Sequence, residues 1–292
     1  MSANIKRILV VGSTGFLGKP VAKSLMNAGY YVRLLARNSE KTKKMFGENV
    51  DIITGDVTIP ESLEDAVKEC YGIHINLHGY AGKKNFYNIE YKGIENIAKA
   101  AADAGVSHIT MLSGATVSSE STEYYAKAKY LGEQALLNCP VPATIFRASW
   151  FMETLNTVVK GKNVFMIGNQ PHPVHIIAVK DFIGMVIKTF NTPEAGNKVL
   201  YAYGPEALTL RETLERYIKI LIPGGKIKKM PLWLIWALSR VGETRLRFIY
   251  DLMSHFEKCS EPFNVEEETN KLLGANTTSL DKWLSEQAKK DS

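Results

Sequence analysis

Near its beginning the sequence has an apolar run that ends in three glycines spaced three residues apart, ILVVGSTGFLG at residues 8–18. An apolar run followed by the helical pattern of residues 19–28 predicts a strand, a tight turn and the N-terminus of a helix. Gly12 would allow the sharp turn, Gly15 the approach of backbone amides to an anion, and Gly18 close packing of helix on sheet. Glycines that serve chain sterics alone are the alternative interpretation.

A dinucleotide pyrophosphate is the anion that such a turn typically binds, at the positive end of the helix dipole. The strand and the helix that this interpretation requires are both present in the pattern. The cofactor contacts predicted for this turn involve all seven of its residues, which are Gly12, Ser13, Thr14, Gly15, Phe16, Leu17 and Gly18.

Four further apolar runs, at residues 30–36, 50–57, 72–78 and 107–113, alternate with helical patterns. This alternation predicts an α/β fold with a doubly wound parallel sheet covered on both faces. From residue 205 onward the pattern is mainly helical, with Thr209 as the predicted N-cap of a helix over 210–221. We therefore predict a nucleotide-binding domain over 1–204 and a smaller C-terminal substrate lobe over 205–292, to which residues 150–173 contribute.

The end of the second predicted strand indicates which dinucleotide the chain prefers. In dinucleotide folds an acidic residue there binds the ribose 2′-hydroxyl, but this sequence has Ala36 followed by Arg37. A guanidinium pairs with a 2′-phosphate that a carboxylate would repel, so we predict NADP in preference to NAD. An exposed Arg37 without a ligand is the alternative.

Two other strand ends supply further predicted cofactor contacts. Asp56 and Val57 close the third strand, where a carboxylate can accept a hydrogen bond from the adenine amino group; a helix cap is the alternative role for Asp56. The fourth strand ends in Leu77, His78 and Gly79, and Gly79 would permit close approach of the backbone to the ligand. His78 is interpreted as a rim or core histidine, since no partner ligands for a metal accompany it.

Tyr125 and Lys129 are four residues apart in the helix that follows the fifth strand, so they share one face of it. An adjacent ammonium favours the phenolate form of a tyrosine, which makes the pair suited to acid–base chemistry. Ser113, at the end of the fifth strand, is the hydroxyl predicted to orient a substrate oxygen. Such a pair on an isolated helix would be an ordinary solvated face, and its place in a dinucleotide-type sheet is what favours catalysis.

These stretches together resemble the short-chain dehydrogenase/reductase superfamily, in its extended and atypical members of the NmrA-like and nucleotide-sugar-epimerase-like branches. The superfamily also includes a Rossmann-type accessory subunit of respiratory complex I. The residues that carry the resemblance are 12–18, Gly55 and Asp56, 88–96, Leu112 and Ser113, 125–133, 144–153, 175–181, 204–206 and 273–283.

The resemblance implies a Rossmann fold and an NADP-dependent oxidoreductase that transfers a hydride to or from a carbonyl or carbinol carbon of a small-molecule substrate. Tyr125 would be the acid–base residue, Lys129 its partner and a ribose ligand, and Phe151 a neighbour of the nicotinamide. Gly114 stands where many members have serine or threonine, so Thr116 is a substitute for Ser113. The alternatives are a non-catalytic NADP(H) sensor or accessory subunit, and a nucleotide-sugar epimerase or dehydratase.

Composition narrows the remaining classes. The 292 residues carry a formal charge of +6, with basic residues spread along the chain and no nucleic-acid-binding motif, so nucleic acid is not predicted as a partner. Three cysteines without ligand-like spacing predict no metal site and a reducing compartment. The first strand follows closely on Met1, which predicts no leader peptide and a cytoplasmic location. Substrate identity and oligomeric state stay open.

Residues 226–240, KIKKMPLWLIWALSR, combine lysines with two tryptophans. The apolar part is too short to span a bilayer, which takes about 20 residues. Contact with a membrane surface is one interpretation. A lobe helix packed against the substrate pocket is the one that the pattern favours.

Overall fold

The computed structural model describes residues 6–79, 82–241 and 244–290. Within these residues the strands are β1 (Arg7–Val11), β2 (Tyr31–Ala36), β3 (Asp51–Thr54), β4 (Gly72–Ile75), β5 (His108–Gly114), β6 (Ala143–Ala148), β7 (Val159–Lys160), β8 (Asn163–Ile167), β9 (Lys198–Ala202) and β10 (Lys226–Met230). The α-helices are α1 (Gly18–Asn27), α2 (Ser39–Phe46), α3 (Glu64–Val67), α4 (Lys83–Tyr87), α5 (Gly93–Asp103), α6 (Tyr124–Leu137), α7 (Val179–Thr189), α8 (Leu210–Leu221), α9 (Leu232–Val241), α10 (Thr244–Phe256), α11 (Glu267–Leu273) and α12 (Leu280–Ala288).

Seven strands form the main sheet, in the order β3-β2-β1-β4-β5-β6-β9. Strand β1 pairs in parallel with both β2 and β4, and the pairs β2–β3 and β4–β5 are parallel as well. The predicted doubly wound parallel sheet is confirmed. The strand order reverses between β1 and β4, and in such sheets a ligand binds beyond the carboxyl ends of the strands at that reversal.

The predicted elements are present with shifted ends. The strand predicted over 72–78 ends at Ile75, so Leu77, His78 and Gly79 lie in the loop that follows it. The helix predicted to follow that loop begins at Lys83, and a π-helical turn at Asn88–Lys92 joins α4 to α5. The third strand ends at Thr54, which leaves Asp56 and Val57 beyond it.

The chain divides into two compact units, Met1–Arg147 with Ile183–Leu200 and Ala148–Phe182 with Tyr201–Ser292. The sequence-based division at residue 204 differs from this one, because the chain passes between the units three times. The first unit holds the buried cluster beneath the parallel sheet, with Leu9, Ile73 and Ile109 among its fully buried members.

The second unit is built around a three-stranded sheet, β10-β8-β7, and the helices α8 and α12. Its core gathers around the buried Trp283. The predicted N-cap of α8 is confirmed, and Thr209 and Glu212 form a reciprocal capping box. Across the described residues, no helix has the length and apolarity needed to cross a membrane.

Candidate functional site

The glycine turn at the end of β1 is so tight that two of its positions, 12 and 18, have no room for a Cβ atom. A Cβ on Gly18 would lie 2.1 Å from the carbonyl oxygen of Gly12, and a Cβ on Gly12, where φ is +82°, would lie 2.1 Å from the carbonyl oxygen of Asn76. The N–H of Gly15 donates to the carbonyl of Gly12 at 3.1 Å. Only glycine fits at positions 12 and 18, as the sequence pattern predicts.

The same turn leaves polar groups available to a bound anion. Helix α1 begins without a side-chain cap and with no acidic residue in its first turn. The Oγ atom of Ser13 is buried and has no hydrogen-bond partner among the described residues. Thr14, Gly15 and Phe16 are exposed. The first turn of a helix has N–H groups without intrahelical partners, so this turn fits a pyrophosphate group.

The residues predicted to bind the adenosine part of the dinucleotide have different contacts in the protein. Arg37 follows the buried Ala36 and is exposed, and within the described parts of the chain its side chain has no ion pair or hydrogen bond. One carboxylate oxygen of Asp56 accepts hydrogen bonds from the N–H of Thr58 at 2.9 Å and from its hydroxyl at 2.8 Å. Asp56 thus closes a turn with Thr58, which does not match the alternative role of helix cap. Val57 is buried against Gly93 at the start of α5.

The loop after β4 is held from inside the protein. The N–H of Gly79 donates to Oε1 of Glu90 at 2.7 Å, and a Cβ on Gly79 would meet Phe86 at 2.6 Å. The His78 ring is edge-on to Phe86, and its Nδ1 lies 3.6 Å from Oε1 of Glu90. Burial lowers the pKa of His78 despite the nearby Glu90 carboxylate, which raises it, and Lys129 adds a smaller lowering effect. The close packing of Phe86 therefore requires glycine at position 79, whether or not a ligand also lies there.

Helix α6 carries three polar residues on one face, spaced four apart: Tyr125, Lys129 and Glu133. Tyr125 is 8% exposed, and its ring contacts those of Phe86 and Tyr124. Tyr125 and Lys129 thus lie one turn apart on the same face of α6, as their spacing predicts.

The ammonium of Lys129 is paired with a carboxylate that is fully buried. Its Nζ lies 2.5 Å from Oε2 of Glu90, which sits in the π-helical turn between α4 and α5. Helix α6 packs very close to this turn, because a Cβ on Gly132 would lie 2.3 Å from the carbonyl oxygen of Glu90. π-Helical turns are frequent at functional sites. Here the turn brings a negative charge under the predicted catalytic lysine.

Ser113, on strand β5, belongs to a second buried hydrogen-bond network, which includes Glu133 on the same face of α6. Its hydroxyl donates to Oε1 of Glu133 at 2.6 Å, and Arg147 donates to both oxygens of that carboxylate, at 3.2 and 2.7 Å. The network ties α6 to β5 and β6. The contacts of Ser113 are those of a structural hydrogen bond and lend no support to its predicted role in orienting a substrate.

Phe151 belongs to the second unit. It forms an isolated bridge with Ile177, and its ring meets that of Phe182 edge-on at 5.5 Å. The predicted contact with a nicotinamide stays a prediction. Among the described residues, no group of three His, Cys, Asp or Glu side chains could hold a metal ion.

Glu90 is the site residue that sequence reasoning missed, although the pattern holds a signal for it. Positions 90, 94, 97, 98 and 101 follow the helical spacing of a buried face, and all but Glu90 are apolar. A carboxylate on such a face needs a charged or hydrogen-bonding partner. That requirement predicts a cation or a hydrogen-bond donor next to Glu90.

The parallel sheet, its strand-order reversal and the glycine turn define a doubly wound α/β protein of the Rossmann type. The chain belongs to the NmrA-like family, whose model matches residues 4–226. The resemblance to this branch is confirmed.

Similar proteins include members with different roles. The chain is 22% identical over 239 residues to the photosystem II assembly factor Ycf39 of Trieres chinensis, covering 80% of this chain and 75% of that protein. It is 27% identical over 218 residues to a (4-alkanoyl-5-oxo-2,5-dihydrofuran-3-yl)methyl phosphate reductase of Streptomyces griseus, covering 73% of each. The triphenylmethane reductase of Citrobacter, solved as a complex with NADP(H), shares the fold with a TM-score of 0.75 and 21% identity, over 97% of this chain and 99% of that one.

Proposed function

We propose that this protein binds NADP and is an oxidoreductase that transfers a hydride to or from a carbonyl or carbinol carbon of a small molecule. The observation that carries the proposal is the turn from Gly12 to Gly18, which has no room for a Cβ at either of these two glycines and is followed by an uncapped helix. A turn of this kind at the strand-order reversal favours a dinucleotide. The reductase of Streptomyces griseus and the NADP(H) complex of the Citrobacter enzyme support the same class.

Arg37 is the residue that would select NADP. It is exposed, follows the last residue of β2, and has its guanidinium available to a ligand. An arginine and a phosphate form short, bidentate, charge-assisted hydrogen bonds, whereas the hydroxyl of NAD offers no negative charge there. Ser13 and the first-turn amides of α1 would hold the pyrophosphate.

The bound dinucleotide would supply or accept the hydride. Tyr125 would then give or take the proton at the substrate oxygen, with Lys129 one helical turn away favouring the phenolate. Glu90 would act as a positioning residue, since its buried carboxylate fixes the Nζ of Lys129 at 2.5 Å. The Ser113–Glu133–Arg147 network would hold the helix that carries both catalytic residues.

A second candidate function is NADP(H) binding without turnover, as a sensor or accessory protein. The hydrogen bond from the Ser113 hydroxyl to Glu133 supports it, because the predicted third polar residue is then engaged elsewhere unless Thr116 takes that role. The likeness to an assembly factor, Ycf39, agrees with this alternative. A nucleotide-sugar epimerase is less favoured, because such enzymes generally prefer NAD and Arg37 favours NADP.

Titration of the protein with NADPH and NADH tests the cofactor half of the proposal. We expect tighter binding of NADPH, and an increase of its Kd by about tenfold or more in Arg37→Ala, with the Kd of NADH nearly unchanged. Arg211→Ala, which removes an exposed arginine of α8, is the matched control. Preference for NADH, or an Arg37→Ala variant with unaltered NADPH affinity, would contradict it.

Oxidation of NADPH with quinones, aldehydes and α,β-unsaturated ketones tests the catalytic half. Tyr125→Phe should lower kcat by at least about 100-fold and leave NADPH binding intact, while Tyr124→Phe should retain the rate. If NADPH binds and every acceptor fails, or if Tyr125→Phe is as active as the wild type, the non-catalytic alternative replaces this half.

A further inference from the structure

Helix α9 in the second unit exposes two tryptophans to solvent. Trp233 is 68% exposed and Trp236 is 45% exposed, whereas Trp283 in the core of the same unit is 2% exposed. Ile235, on the opposite side of α9, is buried, and α9 packs against α10. Helix α9 is therefore packed on the Ile235 side, while its two tryptophans stay exposed, and its predicted packing against a substrate pocket stays a prediction.

The stretch of sequence that contains these tryptophans is strongly basic. Residues 223–247 contain six lysines and arginines and one glutamate, a formal charge of +5, while the whole chain carries +6. Basic residues occur along the entire sequence, but nearly all of the excess positive charge is thus in this segment. Lys226, Lys228 and Lys229 on β10 and Arg240 on α9 are all exposed.

One cation of this segment lies against one of the indole rings. The guanidinium of Arg240 lies 5.0 Å from the centre of the Trp236 ring, one helical turn away from it. Trp233, Trp236 and Arg240 follow the i, i+3, i+7 spacing of one helix face. We call this helix face, together with Lys226, Lys228 and Lys229 of β10, the basic aromatic surface. Strand β10 ends at Met230 and α9 begins at Leu232, and the Nζ of Lys229 donates to Oδ1 of Asn169.

We propose that the basic aromatic surface docks the protein on an anionic lipid bilayer. Indole rings prefer the headgroup level of a bilayer, where the ring is in an apolar layer and its N–H stays hydrated. Lysine and arginine stems lie along apolar surface while their charges reach the lipid phosphates. An acidic protein could also bury indoles and pair with the cations, since tryptophan and arginine are enriched at protein interfaces, and binding of the purified protein to vesicles that contain no protein separates the two occupants. A second copy of this chain would bring +5 against +5.

Helix α9 is ten residues long, about 15 Å, so it would lie along the interface and would not enter the bilayer as a span. Each basic residue near an anionic surface contributes about fivefold in binding. The +5 segment therefore predicts binding that depends strongly on lipid charge and weakens with salt.

Flotation of the full-length protein with vesicles tests the proposal. We expect binding to vesicles of phosphatidylcholine with 30% phosphatidylserine and at least tenfold less binding to phosphatidylcholine alone. Trp233→Ser with Trp236→Ser should reduce the binding by at least tenfold, while the corresponding phenylalanine double variant should retain most of it. Binding to the charged vesicles should also shift the tryptophan emission to shorter wavelength, and this shift should be lost in the phenylalanine variant.

Charge variants separate specific docking from a general attraction. Changing Lys226, Lys228 and Lys229 to Gln should weaken binding by at least tenfold, whereas changing the exposed Lys23, Lys68 and Lys99 to Gln should have little effect. Equal loss in both triple variants, no binding at low salt, or unaltered binding in the serine variant would overturn the proposal. So would dimers that dissociate in the serine variant, since a second copy would then be the occupant.

Discussion

The Nζ of Lys129 lies 2.5 Å from Oε2 of Glu90, and Oε1 of the same buried carboxylate accepts the N–H of Gly79 at 2.7 Å. One side chain thus links helix α6, the π-helical turn and the loop that follows β4. All three elements are part of the candidate site. The position of Lys129 is therefore determined by Glu90, and its spacing from Tyr125 along the helix is only part of the geometry.

Glu90→Gln should lower the free energy of unfolding by about 2–3 kcal/mol, because it removes the charge that pairs with Lys129 and keeps the shape of the side chain. The value is below that of a fully buried pair, since the Lys129 side chain is 17% exposed. Urea unfolding measures it. Glu95→Gln is the control. It breaks an exposed ion pair with Lys92, three residues earlier, and should lower the free energy of unfolding by less than about 0.5 kcal/mol.

Ser113→Ala should mainly reduce stability. Loss of the hydrogen bond to the buried Glu133 carboxylate should cost about 1.5–2 kcal/mol, and Ser119→Ala, at an exposed position, should cost almost nothing. We expect kcat of any measured reaction to fall by less than tenfold. A fall of 100-fold or more with unaltered stability would instead support the predicted substrate-orienting role of Ser113.

Gly18→Ala should destabilise the protein by about 1–3 kcal/mol and weaken NADPH binding, because its Cβ would collide with the carbonyl of Gly12. Gly184→Ala is the matched control. That glycine lies inside α7 with nothing within 4 Å of an added Cβ, so the change should stabilise by about 0.5–1 kcal/mol. Thermal unfolding and NADPH titration of the two variants give both quantities.

His74 makes stability depend on pH. It is fully buried beside Thr110, at 2.8 Å, and burial lowers its pKa from 6.5 to about 3. Below pH 6.5 the unfolded chain therefore binds a proton that the folded chain refuses, so stability is complete above pH 6.5 and falls as the pH falls toward 3. Between pH 7 and pH 5 this loss is about 2 kcal/mol.

Urea unfolding of His74→Gln at pH 7 and pH 5 checks this, because glutamine cannot bind the proton. The variant should lose about 2 kcal/mol less than the wild type over that interval. His108, whose pKa burial lowers to about 4, should contribute similarly, so the double glutamine variant should lose about twice as much of the pH dependence as the single one and keep the part due to His78, whose pKa is also lowered by burial. An unaltered pH dependence in both variants would contradict the assignment.

The fold could be predicted because its signals are local. The apolar runs, the glycine spacing of residues 12–18 and the capping box at Thr209 each depend on neighbours in sequence. The ends of β3 and β4 were placed too late, since Val57 and Leu77 are apolar residues of loops that pack on the core. Apolarity indicates burial there without indicating a strand.

The site was less predictable because its contacts join distant parts of the chain. Tyr125 and Lys129 could be paired from their spacing, but the partner of Lys129 is 39 positions earlier, in a turn whose π-helical geometry leaves no mark in the pattern. The place of Ser113 at the end of β5 predicts a substrate-orienting role, which stays a prediction, but it does not indicate that the hydroxyl donates to Glu133, 20 positions later. In α9 almost every residue is apolar, so periodicity could not indicate which side is exposed.

The chain passes three times between the two units, so neither unit is one continuous segment of the sequence. No single cut separates the units: a fragment ending at Arg147 lacks Ile183–Leu200, and a fragment starting at Ala148 carries those residues without their sheet. Neither unit can be exchanged with a relative as one uninterrupted stretch of sequence. A swap of the second unit therefore needs two inserted pieces with three matched junctions.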